Sequence, residues 1–171
     1  MPTQVEFPFA GSRRIRAVFD AGAISSDGGA VLLAQVERRT GLLRAVADAL
    51  PDRRNPAFVQ HSMHDLLRQR VFQIALGYED CNDATTLRHD PVLKACLGRD
   101  PVDDGDLSSQ PTLSRLENGV SAASCYRFAK ELLDSYCTRR RRRPDQITLD
   151  LDTTDDPTHG QQELRFYNGY V

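Results

Sequence analysis

The densest group of chemically useful side chains is a set of four carboxylates within seven residues: Asp150, Asp152, Asp155 and Asp156. Apolar and polar residues alternate from 147 to 152, which predicts a strand. In a strand, Asp150 and Asp152 lie on one face, about 7 Å apart, because each residue rises ~3.3 Å. Hard cations such as Mg²⁺ bind one or two carboxylates and keep several waters. The spacing is compatible with an open divalent-metal site at a strand end, but on spacing alone the alternative, an exposed acidic strand leading into an Asp-Asp-Pro turn, is favoured.

A second group is a run of five consecutive arginines: Arg139, Arg140, Arg141, Arg142 and Arg143. Guanidinium groups bind phosphate through two parallel hydrogen bonds, so the run is a candidate DNA-backbone contact. Its structural alternative is the favourable interaction of cations with the C-terminal end of a helix. Arg88 and Arg115 are weaker candidates, because an intramolecular salt bridge, to Asp90 or Glu117 for example, is the favoured alternative for each.

Histidines and cysteines carry weaker signals. His61 and His64 have a metal-binding spacing on one predicted helical face, but no third ligand is evident, which favours ordinary positions on the helix surface. The cysteines form no CxxC pair and are expected to be reduced core residues of a cytoplasmic protein: Cys81, Cys96, Cys125 and Cys137. No secretory signal or membrane-spanning run is present. The sequence contains no Gly-x-Ser-x-Gly motif, no P-loop and no dinucleotide-binding fingerprint. This argues against the commonest hydrolase and nucleotide-binding functions.

Helical periodicity dominates the chain before Pro144 and would position these groups. A short strand is predicted at 15–19. Helices are predicted over 31–50 with a break at Gly41, and over 61–76, 82–87, 90–97, 111–118 and 121–138. Composition and periodicity change at Pro144, which predicts a boundary between a mostly helical region, 1–143, and a second domain, 144–171.

Charge is also distributed unevenly along the chain. Residues 1–143 contain 21 basic and 18 acidic residues, whereas 144–171 contain one basic and six acidic residues. Of the 22 basic residues, 20 are arginine. An arginine-dominated basic region is compatible with a nucleic-acid partner, and a GC-rich genome is the alternative explanation.

Several separated motifs resemble one family. The acidic motif at 150–163 and the segment Phe166-Tyr-Asn-Gly-Tyr170 resemble the start of the catalytic domain of bacterial insertion-sequence transposases. Upstream, residues 77–83, 87–91 and 109–118 resemble the N-terminal region of the same proteins. The similarity extends from about residue 19 to the last residue and indicates the DDE, RNase H-like class, specifically insertion-sequence family thirteen-eighty.

The resemblance implies an α+β fold with a mostly helical N-terminal region, 1–143, followed by the first strands of an incomplete RNase H-like α/β domain. It implies a transposase that binds the inverted repeats of its element and catalyses metal-dependent DNA cleavage and strand transfer. Three carboxylates hold Mg²⁺ or Mn²⁺ in such enzymes. The first of them corresponds to Asp152, with Asp150 as the second candidate.

The family's second and third carboxylates are expected beyond residue 171. The chain is therefore expected to be a truncated N-terminal portion that binds metal weakly and is inactive alone. Its expected partner is inverted-repeat DNA, with no membrane association, and a homodimer is compatible with this interpretation. The alternatives are a non-catalytic helical DNA-binding protein or repressor derived from a transposase, and an inert pseudogene product.

Overall fold

Seven helices account for most of the described structure, in agreement with the predicted helical region. The computed structural model describes residues 4–10, 13–18, 26–140, 142 and 146–150. The helices are α1 (Ala30–Thr40), α2 (Leu42–Ala49), α3 (Met63–Ala75), α4 (Ala84–Leu87), α5 (Pro91–Cys96), α6 (Gln110–Asn118) and α7 (Ala122–Arg139). Contacts divide the chain into two compact units, Met1–Arg140 and Arg141–Val171, and each of these helices belongs to the first.

Local side-chain chemistry sets where the best-predicted helices begin. Ser62 accepts a hydrogen bond from the backbone N–H of Asp65 at 3.0 Å. The Asp65 carboxylate in turn accepts the backbone N–H of Ser62 at 3.3 Å, which completes a capping box at the start of α3. Asp90 accepts the backbone N–H of Leu93 at 2.8 Å, and Pro91 occupies the first turn of α5.

Gly41 separates α1 from α2, where the sequence predicts a break. Its backbone has φ 61° and ψ 20°, the left-handed conformation that glycine adopts without a steric penalty. Its N–H donates to the carbonyl of Glu37 at 2.7 Å and closes the last turn of α1. One glycine thus ends the first helix and redirects the chain into the second.

Two clusters of buried side chains form the described core. The larger joins α1 and α2 to α3, α4 and α5, and its buried members are Ala30, Val31, Ala34, Leu43, Phe72, Leu87, Leu93, Cys96, Leu97 and Leu107. The smaller joins α3, α4 and α6 through Leu66, Ala84 and Leu113. Both α3 and α4 contribute to the two clusters, and α3, with 13 residues, is the longer of the two and the central element of the helical unit.

A β-hairpin precedes the helices. Strands β1 (Gln4–Ala10) and β2 (Arg13–Val18) pair antiparallel, from Gln4 opposite Val18 to Ala10 opposite Arg13. The sequence predicts the second strand at 15–19 but not the first. Pro8 lies within β1, where the register shifts between Phe7 and Ala10, and a proline inside an apolar run argues against a strand in sequence analysis.

Helix α7 turns a different face inward from the one that its apolar residues indicate. It packs against α2, with Ser124 buried and Phe128 half-buried. Tyr126 and Leu133, which with Phe128 are among the large apolar residues that the sequence places in this helix, are 73% and 59% exposed. Positions 124 and 128 lie on one side of a helix with a period of 3.6 residues, and 126 and 133 lie on the other side.

Among the helices of the described residues, none is long and apolar enough to span a membrane.

Two further sequence expectations need correction. Residues 146–150 have neither helix nor strand structure, so the predicted strand is not seen in its described part, and positions 151 and 152 lie outside the described residues. A strand requires a hydrogen-bonded partner, and no described segment pairs with 146–150.

Among the cysteines, Cys96 is buried and Cys81 is half-buried, whereas Cys125 and Cys137 are exposed on α7. The core assignment was therefore wrong for the last two.

Candidate nucleic-acid interface

The arginine run begins inside the last turn of α7. Arg139 donates a hydrogen bond from its guanidinium group to the carbonyl oxygen of Thr40 at 2.9 Å. Thr40 is the last residue of α1, where backbone carbonyls lack partners within the helix and the helix dipole attracts cations. The contact gives Arg139 a structural function at the C-terminal end of α1.

The next arginines are placed differently. The guanidinium carbon of Arg140 lies 4.6 Å from the centre of the Tyr136 ring, a cation–π contact that leaves its N–H groups available to other acceptors. Arg142 is exposed. Arg141 and Arg143 lie outside the described residues. The described members therefore include two exposed cationic groups, Arg140 and Arg142, just beyond the end of α7.

Arg88 is engaged with an internal carboxylate. Its guanidinium group donates to the Asp106 carboxylate at 2.8 Å, and Nδ1 of His89 lies 2.8 Å from the other oxygen of the same group. These hydrogen bonds, first from Arg88 and then from His89, lower the pKa of Asp106. The salt-bridge alternative for Arg88 is confirmed, since this cation already has a partner.

His61 and His64 do not form a common site. His61 precedes the Ser62 cap of α3, and its Nδ1 lies 2.8 Å from the guanidinium group of Arg99. His64 lies within α3, and its Nε2 lies 3.5 Å from a carboxylate oxygen of Glu37. Burial lowers the pKa of both histidines, followed by the positive charge of Arg99 at His61. The expectation of ordinary helix-surface positions was wrong, because both side chains are partly buried among charged groups.

The sequence of the chain matches one family model over most of its length. Residues 7–171 match the family described as transposase DDE domain, group 1. The chain belongs to this transposase family. No curated protein and no solved structure matches it significantly. The family agrees with the DDE class inferred from the sequence motifs.

DDE transposases generally use divalent metal ions, for which carboxylate oxygens are suitable donors. Asp150 is exposed, which suits a hard cation that retains bound water. Asp152, Asp155 and Asp156 lie outside the described residues. In the part of the chain that the structure describes, no group of three or more His, Cys, Asp or Glu side chains is placed to hold a metal ion. The donor type fits the family's metal, and Asp150 is the described member of the acidic segment.

A basic cleft in the transposase chain was not predicted from the sequence. A cleft of about 470 Å³ lies between the 50–61 loop, α3, α6 and the start of α7. Arg53, Arg54 and Arg115 line it together with Phe58, which is 83% exposed. The adjacent Arg53 and Arg54 in a proline-bounded loop were the available signal. Only the fold brings that loop beside Arg115, which is 61 positions away from Arg54 in the sequence.

Within this cleft, Arg54 is fixed and Arg115 is exposed. Two guanidinium nitrogens of Arg54 donate to the Asp52 carboxylate at 2.8 and 2.6 Å, and a third donates to the carbonyl of His61 at 2.9 Å. The hydrogen bond from Arg54 lowers the pKa of Asp52. The proposed partner of Arg115 in the salt-bridge alternative, Glu117, pairs instead with Arg70 of α3. Arg115 thus remains a candidate phosphate contact.

Proposed function

We propose that this transposase-family chain binds the terminal inverted repeats of an insertion sequence of family thirteen-eighty. The match to the transposase family over residues 7–171 is the observation that carries the proposal. Binding to both ends of the element as a homodimer is part of it. The DNA-cleavage and strand-transfer chemistry of the family would require the acidic segment that follows the helical unit.

The run at 139–143 is the proposed phosphate-binding surface. Exposed Arg140 and Arg142 are the described cations with this function, while Arg139 also holds the end of α1 through Thr40. Phosphate contacts set the position of a protein on duplex DNA, and contacts to base edges read the sequence. Arg115 and Arg53, exposed beside the cleft, are candidates for additional backbone contacts.

Asp152 and Asp150 are the proposed metal-binding carboxylates, with Asp152 as the first candidate. The bound Mg²⁺ or Mn²⁺ would stabilise negative charge on the reacting phosphate oxygens. Asp150 and Asp152 would each contribute carboxylate oxygens, and hard cations of this type also bind water and substrate phosphates. Mn²⁺ titration followed by amide NMR tests the assignment even when binding is weak. Broadening centred on 150–156, lost in Asp152→Asn and kept in Asp48→Asn, supports it. Equal broadening in both variants contradicts it.

Fluorescence anisotropy tests the proposed DNA partner directly. Labelled duplexes carrying the inverted repeat that flanks the coding sequence are compared with scrambled duplexes of the same length and composition. The proposal requires tighter binding of the repeat, and sedimentation velocity of the complex measures whether two chains are bound. Equal affinity for both duplexes would contradict recognition of the element's ends.

A further inference from the structure

A second, smaller cleft has a strongly basic lining and lies apart from the arginine run. Its volume is about 300 Å³, far above the roughly 10–15 Å³ that one water needs. Its charged and titratable lining comes from α1, α2 and α3, through Glu37, Arg38, Arg44, His64 and Arg68. Three arginines and one glutamate therefore line a space large enough for a small anion.

The carboxylate of the cleft, Glu37, already accepts hydrogen bonds from the backbone. Glu37 is 7% exposed, and its two oxygens accept the backbone N–H groups of Leu43 at 3.0 Å and Arg44 at 3.2 Å. These N–H groups belong to the first turn of α2 and have no partner within that helix. Glu37 thus caps α2 from within α1, and much of its hydrogen-bonding capacity is used there.

Arg68 brings a buried charge to the same cleft. It is 9% exposed and donates to the backbone carbonyl of Leu97 at 3.2 Å and to that of Cys96. Among the described residues, its Nε is buried and has no hydrogen-bond partner. Burial raises the pKa of the Cys96 thiol to about 12, so this neighbour adds no negative charge near pH 7. The hydrogen-bond partners of Arg68 are neutral carbonyls, and the charges of Asp65 and Glu37 offset only part of the effect of burial, which lowers the pKa of Arg68. An added anion would therefore stabilise this buried cation.

Arg44 supplies an exposed cation to the lining of the cleft. Its side chain is exposed, and in the described part of the chain its guanidinium group makes no ion pair within 4 Å. Arg38, which lies on α1, also lines the cleft. Guanidinium groups that converge from two helices match the several acceptor oxygens of a tetrahedral anion.

We propose that this cleft binds a phosphate group, held by Arg44 and Arg68 with His64 as a third donor. The phosphate is either inorganic phosphate or a phosphodiester of bound nucleic acid, since both present the same oxygens. The site does not depend on the proposed recognition of inverted repeats. Inorganic phosphate alone is a sufficient probe, so failure of one proposal leaves the other standing.

His64 reports on the site because its protonation depends on nearby charge. Burial lowers its pKa, followed by the positive charges of Arg44 and Arg68, while Glu37 acts in the opposite direction. The other groups at the cleft are the Arg38 cation and the neutral Cys96 thiol. A bound phosphate places negative charge near the ring and favours the imidazolium form, by about one pKa unit. For a phosphodiester, whose charge does not change in this range, affinity is expected to rise as the pH falls through this transition.

Imidazole NMR of the full chain tests the proposal with inorganic phosphate as the probe and sodium chloride at equal ionic strength as the reference. Phosphate is expected to raise the pKa of His64 by about one unit, saturably, and chloride is not. Arg44→Gln is expected to weaken phosphate binding roughly tenfold or more, because it removes a charge-assisted hydrogen bond. Arg127→Gln, an exposed arginine of α7 outside the cleft, is the matched control and should bind as the wild type does.

Duplex DNA is then added to distinguish the two sources of phosphate. If DNA produces the same His64 shift and displaces inorganic phosphate, the ligand is a backbone phosphodiester. If only inorganic phosphate does so, the site takes a free phosphate or a small phosphate ester. The proposal is overturned if neither probe shifts His64 beyond the chloride reference, or if Arg44→Gln and Arg127→Gln bind phosphate equally well.

Discussion

The side-chain amide of Gln69 pairs with the backbone of Ser108 in both directions. Nε2 of Gln69 donates to the carbonyl of Ser108 at 2.9 Å, and Oε1 accepts its N–H at 2.8 Å. Gln69 lies on α3 and is 1% exposed, and Ser108 precedes α6 by two residues. A single side chain thus satisfies the buried backbone of a segment 39 positions away and fixes it against the central helix.

Replacing this amide is expected to destabilise the helical unit. Gln69→Leu keeps a similar volume but leaves the N–H and carbonyl of Ser108 buried without partners, at a cost of about 2–4 kcal/mol. Urea unfolding followed by circular dichroism measures the change. Gln35→Leu, at an exposed position of α1, is the control and should change the free energy of unfolding by less than about 0.5 kcal/mol. Equal effects of the two variants would show that the pairing adds no stability.

Glu37 is expected to stabilise the junction of α1 and α2. Glu37→Ala removes the acceptor for the N–H groups of Leu43 and Arg44. It is expected to lower the free energy of unfolding by about 1–3 kcal/mol. Glu37→Gln retains one acceptor oxygen and should lose less. Thermal and urea unfolding of the two variants give the order. Glutamine and alanine variants of equal stability would argue against capping by the side chain.

Stability is expected to fall as the pH decreases from about 7 to 5. Burial lowers the pKa of both His61 and His64 in the folded chain, so the unfolded chain binds protons first once the pH falls below about 6.5. Their contribution is complete above that value and is lost as the pH falls. The double variant His61→Gln/His64→Gln should flatten the pH dependence of the free energy of unfolding. An unchanged curve would assign the dependence to other groups.

Local signals in the sequence predicted most helix boundaries. Ser62, Asp90 and Gly41 act within a few residues of themselves, so their capping and turn chemistry needs no knowledge of the fold. The direction in which α7 faces was not predictable in this way. Its apolar residues favour one side, whereas packing against α2 uses the side of Ser124 and Phe128.

The candidate sites show the same division between local and long-range information. The arginine run is visible as consecutive letters, but its contact with Thr40 joins positions 99 apart. The smaller cleft contains Arg44 of α2 and Arg68 of α3, and their spacing in the sequence does not predict that they lie together. Sequence reasoning identified the transposase family and the helical region. The positions of the basic clefts follow from tertiary packing.

The salt dependence of DNA binding tests most directly whether 139–143 is the DNA-binding surface. Each phosphate neutralised on duplex DNA contributes about 0.9 to the slope of log affinity against log salt concentration. Replacing all five arginines with glutamine is expected to reduce that slope by roughly two to four units, with repeat and scrambled duplexes affected alike. Arg39→Gln/Arg127→Gln, two exposed arginines outside the run and both clefts, controls for the loss of positive charge. An unchanged slope in the five-residue variant would contradict the account and leave the run with the helix-end function seen at Arg139.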